Sequence, residues 1–194
     1  MGSGKGYRKK IKKMQRIKVV SKDTKYFLKK NLKKQKNTKL LEVIKYGLFP
    51  GGKKIRSKIL VDVGYIFNIN YKSLIRVAAA IECIHAYSLI HDDIPCMDND
   101  KLRRGKPTAH IIYGESTAGL AGNSLLTLAF EILSYDKVKI SNNVKNELIN
   151  LISKCSVHEG AAGGQYLDLN YENKNVATKK FLFFQCQEHL QYLV

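Results

Sequence analysis

The sequence is poor in the residues that mark several classes of protein. Its 194 residues include three prolines and show neither a collagen-like repeat nor a low-complexity period, which excludes the fibrous classes. The four cysteines form no CxxC pair, so neither a disulfide scaffold nor a zinc ribbon is indicated. Such cysteine usage fits a reducing compartment, and we expect a cytoplasmic protein. With 44% hydrophobic and 26% charged residues, the composition is that of one globular domain.

Long apolar runs are also missing. The two most apolar windows, residues 77–90 and 118–130, are short and are interrupted by Glu82, His85 and Asn123. The basic N-terminus is not followed by an apolar stretch, as a secretory signal would be. The sequence therefore predicts neither a transmembrane segment nor a secretory signal.

Acidic residues are scarce at one end of the chain. The first 40 residues contain 16 lysines and arginines but one acid, Asp23, so this segment carries most of the net charge of +18. A basic stretch such as residues 29–36 could contact RNA, an anionic membrane surface or solvent alone. Because aromatic residues do not alternate with its lysines, the pattern favours a solvated face and no specific nucleic-acid partner.

Every long segment has helical periodicity, and strand-type alternation is absent. The predicted helices cover residues 38–46, 53–67, 71–93, 116–134 and 144–158. The second of them places Ile55, Ile59, Leu60 and Val63 on one face. Residues 94–114 contain two prolines and two glycines among charges and are predicted to be a loop. The fold class expected is all-α, a bundle with short connections.

A group of carboxylates follows the longest predicted helix. Asp92 and Asp93 end the helix, and Asp98 and Asp100 come a turn or so later. Clustered acids repel each other, and no lysine or arginine close by in the sequence can pair with them before Lys101. The cluster is therefore costly unless a hard cation binds there. Oxygen ligands without histidine suit Mg²⁺, which typically bridges to substrate phosphates. An EF-hand is excluded because its glycine and distal glutamate are missing.

The alternative is a polar helix end that runs into a solvated loop. This alternative must explain why negative charge gathers at a helix C-terminus, where the helix dipole makes it unfavourable. His85 precedes Asp92 by two helical turns, so the two side chains share one face roughly 10 Å apart. That arrangement suits a molecule with two anionic ends, although His85 alone would more often be a hydrogen-bonded core histidine.

Two basic clusters could complete an anion site. Lys53 and Arg56 follow a glycine-rich loop at a predicted helix start, where exposed amides and cations together bind phosphate. Arg103 and Arg104 directly follow the acids. They could pair with those acids or hold diphosphate oxygens in their bidentate forks, and charge alone does not decide between the two.

Five segments resemble the short-chain trans-polyprenyl diphosphate synthases, which are the farnesyl and geranylgeranyl diphosphate synthases, and the bacterial farnesyl type is the most similar. They are GGKKIRS (51–57), AAAIECIHAYSLIHDDIPCMDNDKLRRGKPTAH (78–110), YGE (113–115), AGNSLLTLAFEIL (121–133) and GGQYLDL (163–169). The resemblance implies an all-α isoprenoid-synthase bundle around a deep cavity. It divides the chain into a basic N-terminal segment (1–24), the N-terminal part of a polyprenyl synthase domain (25–170) and a divergent end (171–194).

The resemblance also implies the roles of individual residues. Asp92 and Asp98 would bind Mg²⁺ that holds the allylic diphosphate, with Asp93 as the third catalytic carboxylate. Isopentenyl diphosphate would be held by Lys53, Arg56, His85 and Arg104, and the allylic diphosphate by Arg103. Tyr87 and Ser88 would set the product length, and the bulk of Tyr87 indicates a C15 rather than a C20 product.

The activity implied is a prenyltransferase that condenses isopentenyl diphosphate with dimethylallyl or geranyl diphosphate to give farnesyl diphosphate, acting as a homodimer if complete. The sequence departs from the family pattern at several places. Ser57 stands where a proline is usual, Lys101 where an acid is, and Asn123 where an aspartate is. The second aspartate-rich motif and a Lys-Thr pair are not found after Asp168. We therefore expect a truncated homologue with impaired activity, or alternatively a catalytically dead fragment or a non-catalytic partner subunit.

Overall fold

The computed structural model describes residues 17–49, 52–135, 140–158 and 160–171. Within these residues the N-terminal helices are α1 (Ile17–Leu32), α2 (Lys39–Leu48), α3 (Ile55–Ile66) and α4 (Tyr71–Asp92). They are followed by strands β1 (Leu102–Arg103) and β2 (Lys106–Pro107) and by helices α5 (Ala109–Tyr113), α6 (Glu115–Ser134), α7 (Asn142–Ser156) and α8 (Ala161–Tyr171). The predicted all-α fold is thus confirmed for the part of the chain that the structure describes.

Side-chain caps fix where three of these helices begin. The hydroxyl of Thr38 accepts a hydrogen bond from the N–H of Leu41 at 3.2 Å at the start of α2. Asn70 accepts from the N–H of Lys72 at the start of α4, and Ser141 plays the same part for α7. Each cap satisfies a backbone donor that has no partner inside its helix, which stabilises the helix by about 1 kcal/mol.

Helix α4 is the centre of the bundle and packs against α1, α2, α3 and α6. Its small residues Ala78, Ala79 and Ala80 are fully buried, which lets neighbouring helices approach closely. By length and composition α4 could cross a membrane, but 67% of its most apolar window is buried inside the protein. In this structure α4 is therefore a largely buried core helix.

Most of the apolar face predicted on α3 is exposed rather than buried in the core. Ile55, Ile59 and Val63 are 51%, 37% and 49% exposed, and only Leu60 of the predicted set packs against the core. The buried residues of α3 are Ser57, Val61 and Gly64. The reason is the close approach of α4: a Cβ atom on Gly64 would lie 2.2 Å from a methyl carbon of Leu74. The small-residue side of α3 therefore faces α4.

The segment 94–114, predicted to be a loop, contains regular structure. Strands β1 and β2 form an antiparallel hairpin in which Leu102 pairs with Pro107 and Arg103 with Lys106. The two residues between the strands, Arg104 and Gly105, have φ values of 55° and 75°. Two successive left-handed residues are typical of a tight hairpin turn, and Gly105 adopts that conformation at little steric cost.

Helix α1 continues through the boundary predicted between residues 24 and 25. Its buried residues recur every four positions, as Val20, Thr24, Leu28 and Leu32. Both sides of that boundary thus contribute to one buried stripe on a helix that is otherwise rich in lysine. Residues 1–16 of the predicted basic segment, and residues 172–194 of the predicted divergent end, lie outside the described residues.

Candidate active site

One cluster of predicted site residues lies where α3 begins. Arg56 Nη1 is 3.5 Å from Nε2 of His85 on α4. A Cβ atom on Gly52 would lie 2.7 Å from a terminal nitrogen of Arg104, so the Arg104 guanidinium rests against the glycine-rich loop. Lys53 is the next residue of this loop and is exposed. The structure thus places Arg56, His85 and Arg104 near one another at the start of α3, with Lys53 beside Gly52 in the chain. We name Lys53, Arg56, His85 and Arg104 the cation cluster.

His85 is the uncharged member of the cation cluster. Burial lowers its pKa to about 4, and the positive charge of Arg56 acts in the same direction. Arg104 and Lys54 lower this pKa further, whereas Glu82 raises it. A neutral imidazole has one N–H donor and one acceptor nitrogen, so His85 can form directed hydrogen bonds at neutral pH without adding charge.

Sequence reasoning missed a buried ion pair beside this cluster. Lys54 Nζ lies 2.7 Å from Glu82 Oε2, and the hydroxyl of Ser57 donates to Glu82 Oε1 at 2.6 Å. Lys54 and Glu82 are only 8% and 2% exposed. The available signal was a carboxylate within an apolar helix, three residues before His85 and so on the same helical face. In the sequence, Glu82 stands out only as an interruption of an apolar window.

The second group of predicted residues lies at the C-terminal end of α4. Asp93 is buried and accepts a hydrogen bond from Nε of Arg103 at 2.5 Å. A terminal nitrogen of Arg103 also donates to Asp100 at 3.1 Å. Burial raises the pKa of Asp93, while the hydrogen bond and charge of Arg103 oppose this shift. Of the two alternatives for Arg103, the structure contains the pairing with the acids.

Helix α8 reaches this acidic end of the site. Gln165 Nε2 donates to Oδ1 of Asp98 at 3.1 Å. Partial burial raises the pKa of Asp98, and the nearby negative charges of Asp100 and Asp168 raise it further. Sequence reasoning missed Gln165 and Asp168 as site residues. Both belong to the GGQYLDL segment, but their closeness to Asp98 is a tertiary contact that no local pattern encodes.

The carboxylates suit a hard divalent cation. Across the described ranges, no three His, Cys, Asp or Glu side chains are arranged as a preformed metal centre. Mg²⁺ does not need one, because it is usually held by one or two carboxylates together with waters and substrate phosphates. The charge repulsion felt by Asp98 is the kind that a divalent cation relieves, so the donors at this end of α4 fit Mg²⁺.

The two residues predicted to set product length lie on the last turns of α4. The Tyr87 ring lies 4.6 Å from the ring of His91, and both approach Gly122 of α6. Burial and the nearby charge of Asp92 raise the pKa of Tyr87. Ser88 donates from its hydroxyl to the backbone carbonyl of His85 at 3.1 Å, a bond within the helix.

A cleft between α2, the end of α4 and the hairpin lies next to both clusters. Its walls are largely apolar and its rim carries charged side chains. It is lined in part by Tyr46, Leu89, Ile90, Arg103, Arg104 and Pro107. The hydroxyl of Tyr46 donates to the carbonyl of Pro107 at 2.5 Å, which fixes the hairpin against α2.

Comparison with known proteins agrees with this geometry. The sequence model of the polyprenyl synthetase family matches residues 37–191. The farnesyl diphosphate synthase of Escherichia coli is 47% identical over 141 residues, which are 72% of this chain and 47% of that protein. A farnesyl diphosphate synthase of Buchnera aphidicola is 48% identical over 140 residues, or 71% of this chain and 49% of that protein.

Solved structures of prenyl diphosphate synthases also resemble this chain. The crystal structure of an FPP/GFPP synthase from Zymomonas mobilis superposes with a TM-score of 0.85 at 38% identity and covers 91% of this chain and 65% of its own. The chain spans about half the length of the curated relatives it matches. The family match covers most of the sequence and includes both clusters, so the chain belongs to the polyprenyl synthetase family.

Proposed function

We propose that the protein is a prenyltransferase that condenses isopentenyl diphosphate with an allylic diphosphate, dimethylallyl or geranyl, to give farnesyl diphosphate. The observation that carries this proposal is the placement of two neighbouring residues. Arg103 contacts the carboxylates Asp93 and Asp100, while Arg104 lies against the glycine-rich loop and near His85. An acidic, metal-suited site and a cationic site are therefore adjacent, which suits two diphosphate substrates bound side by side.

In this proposal Asp92 and Asp98 would hold Mg²⁺, with Asp93 in support, and bound Mg²⁺ would neutralise charge on the departing allylic diphosphate. The cation cluster would hold the diphosphate of the second substrate. Lys53 and Arg56 stand at the start of α3, which has no side-chain cap, so backbone N–H groups of its first turn can also face an anion.

The reaction needs no covalent intermediate with the protein. The allylic carbon–oxygen bond breaks, the isopentenyl double bond supplies the electrons of the new carbon–carbon bond, and the released diphosphate takes up the proton. Arg103 would stabilise the charge that develops on that diphosphate. An apolar, water-poor cavity would keep water from capturing the carbocation. Neutral His85 contributes a directed hydrogen bond rather than charge.

Product length would be set by Tyr87 and Ser88. The Tyr87 ring is packed between α4 and α6, where its bulk would end the space open to a growing chain at C15. We place the enzyme in the cytoplasm as a homodimer. Exposed apolar residues on adjoining helices would supply the contact with the second copy: Ile111, Ile112 and Leu120.

A second candidate function is that of a non-catalytic partner subunit of a prenyl synthase. The observation in its favour is the exposed apolar stripe Ile55, Ile59 and Val63 on α3, which no other described element covers. This candidate predicts a protein that aggregates alone and is recovered together with a full-length synthase.

Incubation of the purified 194-residue protein with labelled isopentenyl diphosphate, geranyl diphosphate and Mg²⁺ tests the proposal. We expect a low yield of C15 diphosphate after extraction, in line with the impaired activity expected from the sequence, and its loss in Asp92→Asn. Calorimetry of inorganic pyrophosphate with and without Mg²⁺ separates the two candidates. Metal-linked binding without turnover supports the partner subunit, and absence of both turnover and binding contradicts both candidates.

A further inference from the structure

Glu82 is the focus of a contact between α3 and α4 that the reaction does not use directly. Both of its carboxylate oxygens are engaged: Oε2 by the ammonium of Lys54 at 2.7 Å and Oε1 by the hydroxyl of Ser57 at 2.6 Å. All three residues are buried. A buried charge is costly unless it is paired and hydrogen-bonded, so each of these groups restricts where the others can lie.

Lys54 has an unusual backbone for this position. It precedes the first residue of α3 with φ 53° and ψ 45°, a left-handed conformation, and its side chain does not cap its own helix. For a residue with a Cβ atom this conformation costs about 1 kcal/mol and is kept only where the surroundings hold it. Here the surroundings include Glu82, because the Lys54 side chain is turned inward to reach it.

The inward direction of the Lys54 side chain also affects the two cations near it in the sequence, Lys53 and Arg56. With Lys54 directed into the protein, the adjoining Lys53 is exposed and Arg56 lies 3.5 Å from His85. On α4, Glu82 and His85 are three residues apart and share a face. The start of α3 is therefore joined to α4 at two points one turn apart.

Ser57 engages the second oxygen of the same carboxylate. Its hydroxyl donates to Oε1 of Glu82 at 2.6 Å, so the carboxylate is held from two sides.

From these contacts we infer that Glu82, held by Lys54 and Ser57, is a positioning residue that sets Lys53 and Arg56 in place to bind a diphosphate. The inference rests on the proposed function for the identity of that ligand, an isoprenyl diphosphate bound at the cation cluster. The competing explanation is a buried pair that contributes to stability alone, in which case diphosphate affinity would not depend on it.

Three single variants of the full 194-residue chain distinguish these explanations. Glu82→Gln removes the charge that holds Lys54, and Ser57→Ala removes one hydrogen bond. Asp62→Asn is the matched control, because it breaks the Lys58–Asp62 pair within α3 and leaves α4 untouched. The dissociation constant for isopentenyl diphosphate without Mg²⁺ is measured by calorimetry at pH 7.5, alongside thermal unfolding.

We expect affinity to fall about tenfold or more in Glu82→Gln and about threefold in Ser57→Ala, and to stay within about twofold in Asp62→Asn. Wild-type affinity in a folded Glu82→Gln protein would overturn the inference. If that variant does not fold, the double variant Lys54→Met with Glu82→Leu replaces the pair by apolar side chains of similar size. A stable double variant with wild-type affinity would also overturn it.

The titration of His85, followed by NMR, gives a readout that stability alone does not move. Removing the negative charge of Glu82 by itself lowers the pKa of His85, because a nearby carboxylate favours the protonated ring. If Arg56 leaves its place, the pKa rises instead, since Arg56 and the other cations Lys54 and Arg104 hold it down. We expect a rise in Glu82→Gln, and a fall would count against positioning.

The two proposals can fail separately. If wild-type protein binds neither isopentenyl diphosphate nor inorganic pyrophosphate, the proposed function fails. The direction of the His85 shift would still decide whether Glu82 positions Arg56.

Discussion

At the residue scale, a neutral histidine lies among charged side chains where α3 meets α4. His85 stands among Arg56, Arg104 and Lys54 but stays neutral, because burial and those cations lower its pKa to about 4. Glu82, three residues earlier, forms an ion pair with one of those cations, Lys54. One turn of α4 thus presents a paired carboxylate and then a neutral imidazole to the start of α3.

This low pKa predicts a dependence of stability on pH. Unfolded His85 titrates near 6.5 and folded His85 near 4, so between these values the unfolded chain binds more protons. The contribution to stability is complete above pH 6.5 and is lost as the pH falls toward 4. We expect His85 to cost about 2 kcal/mol of unfolding free energy between pH 7 and pH 5.

Urea unfolding at pH 7 and pH 5 measures this cost. In His85→Gln the pH-dependent loss should shrink by that amount, because the carboxylates with raised pKa values are common to both proteins. An equal loss in both proteins would show that His85 does not titrate in this range.

At the element scale, α3 shows where hydrophobic pattern and packing disagree. Its larger apolar residues point away from α4, while Ser57, Val61 and Gly64 face it. Hydrophobicity alone could not predict this, because serine and glycine carry no apolar signal. Their small size allows α4 to approach closely, and the hydroxyl of Ser57 donates a hydrogen bond to Glu82.

The orientation of α3 can be tested with one substitution made at two positions. Val61 is fully buried and Val63 is 49% exposed on the same helix. We expect Val61→Ala to lower the free energy of unfolding by roughly 1–3 kcal/mol through lost contacts and a cavity. Val63→Ala should change it by less than about 0.5 kcal/mol. Chemical unfolding of both variants measures the difference, and the reverse order would restore the face predicted from sequence.

The closeness of some of the site residues follows from contiguous motifs. Asp92, Asp93, Arg103 and Arg104 lie within one segment, and the hairpin that joins them is short, so their proximity follows from chain connectivity. Gln165 and Asp168 are more than 60 residues from Asp98, and only the packing of α8 brings them near. The buried Lys54–Glu82 pair was missed for the same reason, as its partners are 28 residues apart.

At the scale of the whole molecule, the basic N-terminal region is partly structural. Val20 and Thr24 are fully buried on α1, and Asp23 accepts a hydrogen bond from the hydroxyl of Tyr71 at 2.7 Å. Helix α1 therefore packs on one side of the central helix α4 and keeps its charged residues on the outside.

Two N-terminal deletions test this role. Removing residues 1–16 retains all of α1 (Ile17–Leu32), and this protein is the reference. Removing residues 1–24 deletes half of α1 with Val20 and Thr24, and should lower the free energy of unfolding by more than about 3 kcal/mol. Calorimetric melting of both proteins is the measurement, and equal melting temperatures would show that the first half of α1 is dispensable.

The hairpin turn at Arg104 and Gly105 also limits how the two halves of the site can change. Arg103 reaches the carboxylates of the acidic site, and Arg104 reaches Gly52 beside the cation cluster. The two sites are therefore linked through neighbouring residues whose Cα atoms are about 3.8 Å apart. Inserting one residue between these arginines would therefore shift the acidic site relative to the cation cluster.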